Sequence, residues 1–137
     1  PLLAFLLLGG IRARKAVSER SGSDKTRLSR ERRNALSDAE KSLKQQTHKA
    51  LGSAVERMLA AAIELKTGFK IRGVAITRLS AELSKATSFD DALCKEICAA
   101  LTDCDRLRFL PEADSSTATE ASELLSRSKK LLKQIDR

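Results

Sequence analysis

The sequence predicts an all-α fold, a small bundle of about five helices that follows the end of a transmembrane helix. Of the 137 residues, 42% are hydrophobic and 32% are charged, which is enough apolar material for one domain with its own core. Proline occurs twice and glycine six times, so few positions interrupt a helix, and few β-branched residues are available to build a sheet. Apolar residues recur at helical spacing along most of the chain.

Residues 1–11 are uncharged and mostly apolar, and we expect them to be the end of a truncated transmembrane helix. A complete span needs about 20 such residues. A secretory signal has its basic residues before the apolar run, whereas here Arg12, Arg14 and Lys15 come after it. The alternative is that residues 1–11 belong to a buried N-terminal helix of a soluble protein.

Residues 12–33 are interpreted as a basic juxtamembrane linker and helix start, because they carry nine basic and three acidic residues. Positive charge beside an apolar segment keeps that side of a membrane protein in the cytoplasm and attracts anionic headgroups. The residues expected at the membrane surface are Arg12, Arg14, Lys15 and Arg20. Residues 34–137, with a net charge of only +2, are then a helical domain on the cytoplasmic side of the inner membrane.

The first two helices of this domain follow from the apolar spacing. In the first, which reaches to about Gln46, the apolar positions are Leu28, Ala35, Leu36, Ala39 and Leu43. The second is predicted from about His48 to Thr67, with Gly68 placed for a left-handed C-terminal cap. Its inward residues are predicted to be Leu51, Val55, Met58, Leu59, Ala62 and Ile63. Residues 69–76 are predicted to form a loop, with a minor strand as the alternative.

A short third helix is predicted from Arg78 to about Lys85, capped by Thr77 and facing the core with Leu79 and Leu83. Ser88 is predicted to cap the fourth helix. Asp90 and Asp91 suit the positive end of the fourth helix dipole. The residues predicted to share the inner stripe of this helix are Phe89, Leu93, Ile97, Leu101, Cys104 and Arg108.

Three cysteines, Cys94, Cys98 and Cys104, lie close together on the fourth helix. An odd number so closely spaced is a poor disulfide framework, which indicates a reducing compartment. The stripe places Cys104 at the centre of the buried face, where it is expected to pack as a small core residue. Cys94 and Cys98 are expected toward the flank of this face; packing is the expected role of this pair, and a redox role is the alternative. Because His48 is the only histidine, we expect no metal or cofactor.

The last helix is predicted after a connection over residues 112–117, since Pro111 is expected to end the fourth helix. Thr117 and Glu120 have the spacing of a capping box. The apolar face of this helix is predicted to consist of Ala121, Leu124, Leu125, Leu131, Leu132 and Ile135.

Two segments, GVAITRLSAEL at residues 73–83 and ICAALTDCDRLRFLP at residues 97–111, resemble the cytoplasmic C-terminal region of the BatD family of oxygen-tolerance (aerotolerance) membrane proteins. The positions that carry the resemblance are Thr77, Arg78, Leu83, Leu101, Cys104, Asp105, Arg108, Phe109 and Pro111, followed by the leucine-paired helix over 120–132. The resemblance implies a preceding membrane span. It also implies an envelope complex with von Willebrand A-domain membrane proteins and a MoxR-type ATPase.

Asp105 and Arg108 lie three residues apart on the fourth helix and can pair, or Arg108 can reach the carbonyl groups at the helix end. Either contact would fix the corner before Pro111, and Phe109 is expected to plug that corner. The functional alternative is that Asp105 and Arg108 form a partner-binding site, because arginine is enriched in interaction hot spots.

The sequence contains no nucleophile with a paired base, no glycine-rich phosphate loop and no carboxylate cluster. We therefore expect a non-catalytic, membrane-tethered domain that binds protein partners. The alternative is a nucleic-acid-binding domain of the helix-turn-helix type, suggested by the net charge of +8 and by the helices within 78–109. Its recognition helix would begin with Phe89, Asp90 and Asp91, which present acidic groups to phosphate and make nucleic acid the weaker alternative.

Overall fold

The computed structural model describes residues 24–109 and 115–137, which form five α-helices and no strand. The helices are α1 at 24–44, α2 at His48–Thr67, α3 at Ile76–Ala86, α4 at Asp91–Phe109 and α5 at Ser115–Asp136. The prediction of an all-α bundle is confirmed. The predicted end of a transmembrane helix and the membrane-surface residues lie outside the described ranges. Among the helices inside those ranges, none has the length and apolar character of a membrane span.

Helices α1 and α2 follow the predicted pattern closely. A turn joins them, in which the Thr47 amide donates to the Ser42 carbonyl at 3.0 Å. Helix α2 has the predicted bounds, and all six of its predicted inward residues are buried. Gly68 has a φ of 78° and donates its amide to the Glu64 carbonyl at 2.7 Å. The left-handed cap is therefore confirmed, and the loop predicted after it is also present, since α3 begins only at Ile76.

The predicted caps of α3 and α4 are wrong. Helix α3 begins after the extended residue Ala75, so Thr77 lies inside the helix rather than before it. At α4 the cap is Asp90, whose carboxylate accepts the Leu93 amide at 2.7 Å, and Ser88 lies upstream of this turn. In both cases the chain enters the helix at a different residue from the one that local cap preference favours.

The start of α5 also differs from its prediction. The helix begins at Ser115, so Thr117 is a buried residue inside it and the capping box is wrong. Glu120 instead accepts a hydrogen bond from Arg106 of α4 at 3.1 Å. The predicted apolar face of α5 is confirmed, because all six of its residues are buried. Pro111 and the first half of the predicted connection, residues 112–114, lie outside the described residues.

Helices α2 and α4 form the main packing interface of the bundle; α2 also packs against α5, and α4 also contacts α3 and α5. The crossing of α2 and α4 is close at Gly52. A methyl group at this position would lie 2.6 Å from the backbone carbonyl oxygen of Cys104, well inside van der Waals contact. The missing side chain of Gly52 is therefore what lets the two backbones approach.

The C-terminal ends of α2 and α5 meet the middle of α1 at Asp136. Its two carboxylate oxygens accept hydrogen bonds from the Arg32 guanidinium at 2.8 and 2.7 Å, and its backbone carbonyl accepts one from Lys66 at 3.3 Å. The hydrogen bond from Arg32 holds the pKa of Asp136 below its ordinary value. Two parallel hydrogen bonds fix the relative orientation of the guanidinium and the carboxylate in addition to bringing opposite charges together. Together with the Lys66 contact, they tie α1 to the C-terminal ends of α2 and α5.

Candidate functional site

Asp105 and Arg108, the predicted partner-binding residues, lie in the last turns of α4. The Nη1 atom of Arg108 is 3.4 Å from Oδ1 of Asp105, so the predicted pairing is confirmed. Arg108 also forms an ion pair with Glu56 of α2, a residue that no pattern in the sequence singles out. Glu56 is one helical turn beyond Gly52, at the close crossing of α2 and α4. The Arg108 guanidinium therefore bridges two helices while its side chain remains 30% exposed.

Phe109 does not plug the corner after α4, and that prediction is wrong. Its side chain is 85% exposed. Successive helical residues are rotated by about 100°, so the residue after Arg108 turns away from α2. Phe109 falls on the solvent-facing side of α4, together with the exposed residues Thr102 and Arg106.

A small cavity of about 50 Å³ lies where the loop after α2 and the start of α3 meet α2 and α4. The residues that line it are Glu56, Ile71, Val74, Ile76, Leu79, Leu101 and Asp105. We call this cavity the loop crevice. Its lining is mainly aliphatic, and Glu56 and Asp105 are both carboxylates that pair with Arg108.

The loop crevice combines an exposed apolar group with excess negative charge. Ile76 is 39% exposed and is one of two large hydrophobic residues that are exposed among those described. Two carboxylates share one guanidinium here, which leaves one unit of negative charge beside the aliphatic wall. Such an arrangement suits a partner segment in which an aliphatic side chain is followed or preceded by a basic residue.

A larger cavity of about 210 Å³ lies between α4 and α5. Its lining residues include Asp103 and Arg106 of α4, together with Glu120 and Arg127 of α5. Two ion pairs cross this cavity, from Arg106 to Glu120 and from Arg127 to Asp103. These four charges have partners within the bundle, and Glu123 adds one further carboxylate, so the excess negative charge equals that of the loop crevice. The apolar residues that line this cavity, Leu107 and Leu124, are buried, whereas Ile76 of the loop crevice is exposed.

The three cysteines are thiols that the protein keeps protonated. Cys94 and Cys104 are fully buried and Cys98 is half-buried, so the prediction that Cys104 is a core residue is confirmed. The prediction that Cys94 lies at the flank is wrong, because the buried stripe of α4 runs through Cys94, Ile97 and Leu101. Burial raises the pKa of all three thiols, and raises that of Cys104 to about 12.

We expect only one of the three thiols to react with a thiol reagent in the folded protein at mildly alkaline pH. Cys98 is the partly accessible one, whereas Cys94 and Cys104 are enclosed. The raised pKa lowers the thiolate fraction of all three thiols, so accessibility decides which one reacts. Counting modified cysteines by mass spectrometry before and after denaturation measures this. Cys98→Ser should leave no reactive thiol in the folded state. Fast labelling of Cys94 or Cys104 would contradict the burial of these two side chains.

Metal ligation and nucleic-acid recognition find little support in the described residues. Within residues 24–109 and 115–137, no group of three or more metal-binding side chains converges. Helix α4, the recognition helix of the helix-turn-helix alternative, is packed against α2, α3 and α5. Its remaining exposed positions include Glu96 beside Lys95, and mixed charge of this kind is a poor match for a phosphate backbone.

Comparisons with protein-family models, with curated proteins and with solved structures each gave no match.

Proposed function

We propose that this chain is a non-catalytic protein-interaction domain, tethered at the cytoplasmic face of the inner membrane, that binds its partner at the loop crevice. The observation that carries the proposal is the exposure of Ile76 beside an aliphatic cavity that also holds Glu56 and Asp105. A partner's aliphatic side chain would remove Ile76 from water. A neighbouring basic residue of the partner would pair with the excess carboxylate charge.

The two segments that resemble the BatD family supply most of the loop crevice. Val74, Ile76 and Leu79 come from residues 73–83, and Leu101 and Asp105 come from residues 97–111. This convergence supports a shared role for the two segments in binding. As the resemblance implies, the proposed partners are von Willebrand A-domain membrane proteins and a MoxR-type ATPase.

Support for binding rather than catalysis comes from the ionisable side chains. His48, the single histidine, is only 2% exposed, so its imidazole is poorly placed to exchange protons with a substrate. The buried thiols have raised pKa values, which disfavours the thiolate that a cysteine nucleophile requires.

The interaction is tested by placing a photo-crosslinking amino acid at position 76 of the full-length chain in cells. The matched control carries the same amino acid at Thr119, an exposed position on α5. We expect a discrete protein adduct from position 76 and none from position 119. The variant Asp105→Lys should reduce this adduct about fivefold or more, because it reverses one of the two negative charges, and charge reversal of this kind costs on the order of 1 kcal/mol or more.

Identification of the adduct by mass spectrometry separates the parts of the proposal. Equal adducts from positions 76 and 119, or no adduct from 76, would contradict binding at the loop crevice. An adduct with a protein of another class would contradict the BatD-like partner assignment. The tether is tested independently: the full-length chain should stay with the membrane fraction after an alkaline carbonate wash, and complete release would contradict a membrane span.

A further inference from the structure

The outer face of α1 carries a row of cations. Arg30, Arg33, Lys41 and Lys44 are all exposed, and together with Ser37 they repeat at the three- and four-residue spacing that places residues on one face of a helix. At about 1.5 Å per residue, the row is roughly 21 Å long. We call these four residues the basic stripe.

The acidic residues of α1 lie along its edges and pair with neighbouring elements. The pairs are Glu31 with Arg72 at 3.3 Å, Asp38 with Arg57 at 3.2 Å and Glu40 with Lys129 at 3.1 Å. The remaining acidic residue, Asp24, pairs with Arg27 in the first turn of α1. Within residues 24–109 and 115–137, none of the acidic side chains forms an ion pair with a cation of the basic stripe.

We infer that the basic stripe is a docking surface for an anionic phospholipid bilayer. A straight row of cations on the outer face of a helix meets a plane at all four residues at once. Each Lys or Arg held near such a surface strengthens binding by about fivefold. The long, flexible stems of these side chains also let the charged ends reach headgroups at slightly different depths.

Duplex nucleic acid fits the same face less well. A helix that reads DNA projects into a groove about 12 Å wide, so its flanks approach the phosphates of both strands. The flanks of α1 carry Glu31, Asp38 and Glu40, which would face those phosphates. A planar surface meets the basic stripe face-on, with Glu31 and Asp38 turned to the side. Glu40, which borders the stripe, is paired with Lys129 at 3.1 Å.

The basic stripe extends the positive charge that precedes the bundle in sequence. Arg12, Arg14, Lys15 and Arg20 come before α1, which begins at residue 24. The inference rests on the membrane location in the proposed function and adds an orientation to it, with the outer face of α1 against the bilayer. It does not depend on what the loop crevice binds.

The test measures binding of the full-length chain to phosphatidylcholine vesicles with and without phosphatidylserine. The stripe variant is R30Q/R33Q/K41Q/K44Q, and the control variant is R78Q/K85Q/K95Q/R137Q, which removes the same charge from exposed positions on α3, on α4 and at the C-terminus. We expect the stripe variant to lose at least about 20-fold in partitioning onto vesicles with phosphatidylserine, and the control to lose less than about threefold. Circular dichroism should show equal helix content and thermal midpoints for both.

Three outcomes would overturn the inference. Equal losses in the two variants would mean that net charge, not the arrangement on α1, governs binding. Unchanged binding of the stripe variant would mean that the cations before α1 suffice. A stripe variant that loses affinity for duplex DNA while keeping its affinity for phosphatidylserine vesicles would identify a nucleic-acid surface instead. None of these readouts depends on the adduct at position 76, so the loop crevice and the basic stripe can fail separately.

Discussion

Replacing Gly52 with alanine should lower the free energy of unfolding by about 1–3 kcal/mol, the range typical of an overpacked core. The added methyl group would lie 2.6 Å from the Cys104 carbonyl oxygen, and because this atom belongs to the backbone no rotamer change can relieve the overlap. Helix α4 must move away from α2 instead, which loosens the packing of buried residues such as Ile97. Alanine's better helix propensity returns only about 1 kcal/mol. Urea unfolding followed by circular dichroism measures the difference.

The matched control is Ser53→Ala, which adds helix propensity to the adjacent, partly exposed position of α2. This change should leave the free energy of unfolding unchanged or slightly higher, within about 0.5 kcal/mol. If Gly52→Ala proved as stable as Ser53→Ala, the close approach of α2 and α4 at this point would be incorrect.

Alkaline pH should destabilise the folded protein through Cys104. Burial raises the pKa of this thiol from 9.0 to about 12, with smaller contributions from Asp105 and Asp103. Above pH 9 the unfolded chain releases the thiol proton while the folded protein keeps it, so the free energy of unfolding falls as the pH rises. The contribution of Cys104 to the slope approaches about 1.4 kcal/mol per pH unit midway between the two pKa values and is about half of that at either one. Denaturant titrations at a series of pH values measure it.

Cys104→Ala is the variant that isolates this effect. It removes the titrating group and leaves Cys94 and Cys98, whose raised pKa values act in the same direction. We expect the variant to be less stable at neutral pH because it leaves a small cavity, but to show a shallower decline above pH 9. A decline as steep as that of the unmodified chain would show that Cys104 does not retain its proton in the folded state.

The helices could be predicted from the sequence wherever hydrophobic spacing and a strong terminator agree. Helix α2 was predicted with its actual bounds, because its apolar residues keep helical spacing until Gly68 supplies the left-handed cap. The N-terminal caps were not predictable in the same way. Thr77, Ser88 and Thr117 are all good capping residues, but where a helix begins depends on how the preceding loop packs, and this is a property of the whole fold.

The candidate site was predictable only in its local part. Asp105 and Arg108 are three residues apart, so their pairing follows from helical geometry. Glu56 is brought to Arg108 by the crossing of α2 and α4, and no short-range pattern in the sequence indicates that contact. Phe109 does not plug the corner before Pro111 as predicted, because the rotation of the helix places it in solvent. The basic stripe could be predicted from the sequence, since its residues have helical spacing. Only the structure shows that the acidic residues at the edges of α1 form ion pairs with other parts of the bundle.

On helix α1, one set of side chains attaches the helix to the bundle and another set, the basic stripe, faces outward. Arg32 and the edge carboxylates, with Leu28 and two alanines beneath them, attach it to the rest of the bundle. Its outward cations take no part in that attachment. If the basic stripe docks on a bilayer as proposed, substitutions of its cations would change membrane binding without unfolding the protein. Substitutions of the buried Leu28, Ala35 or Ala39 would instead lower its stability. The proposed membrane binding of α1 and its packing on the bundle could therefore evolve independently.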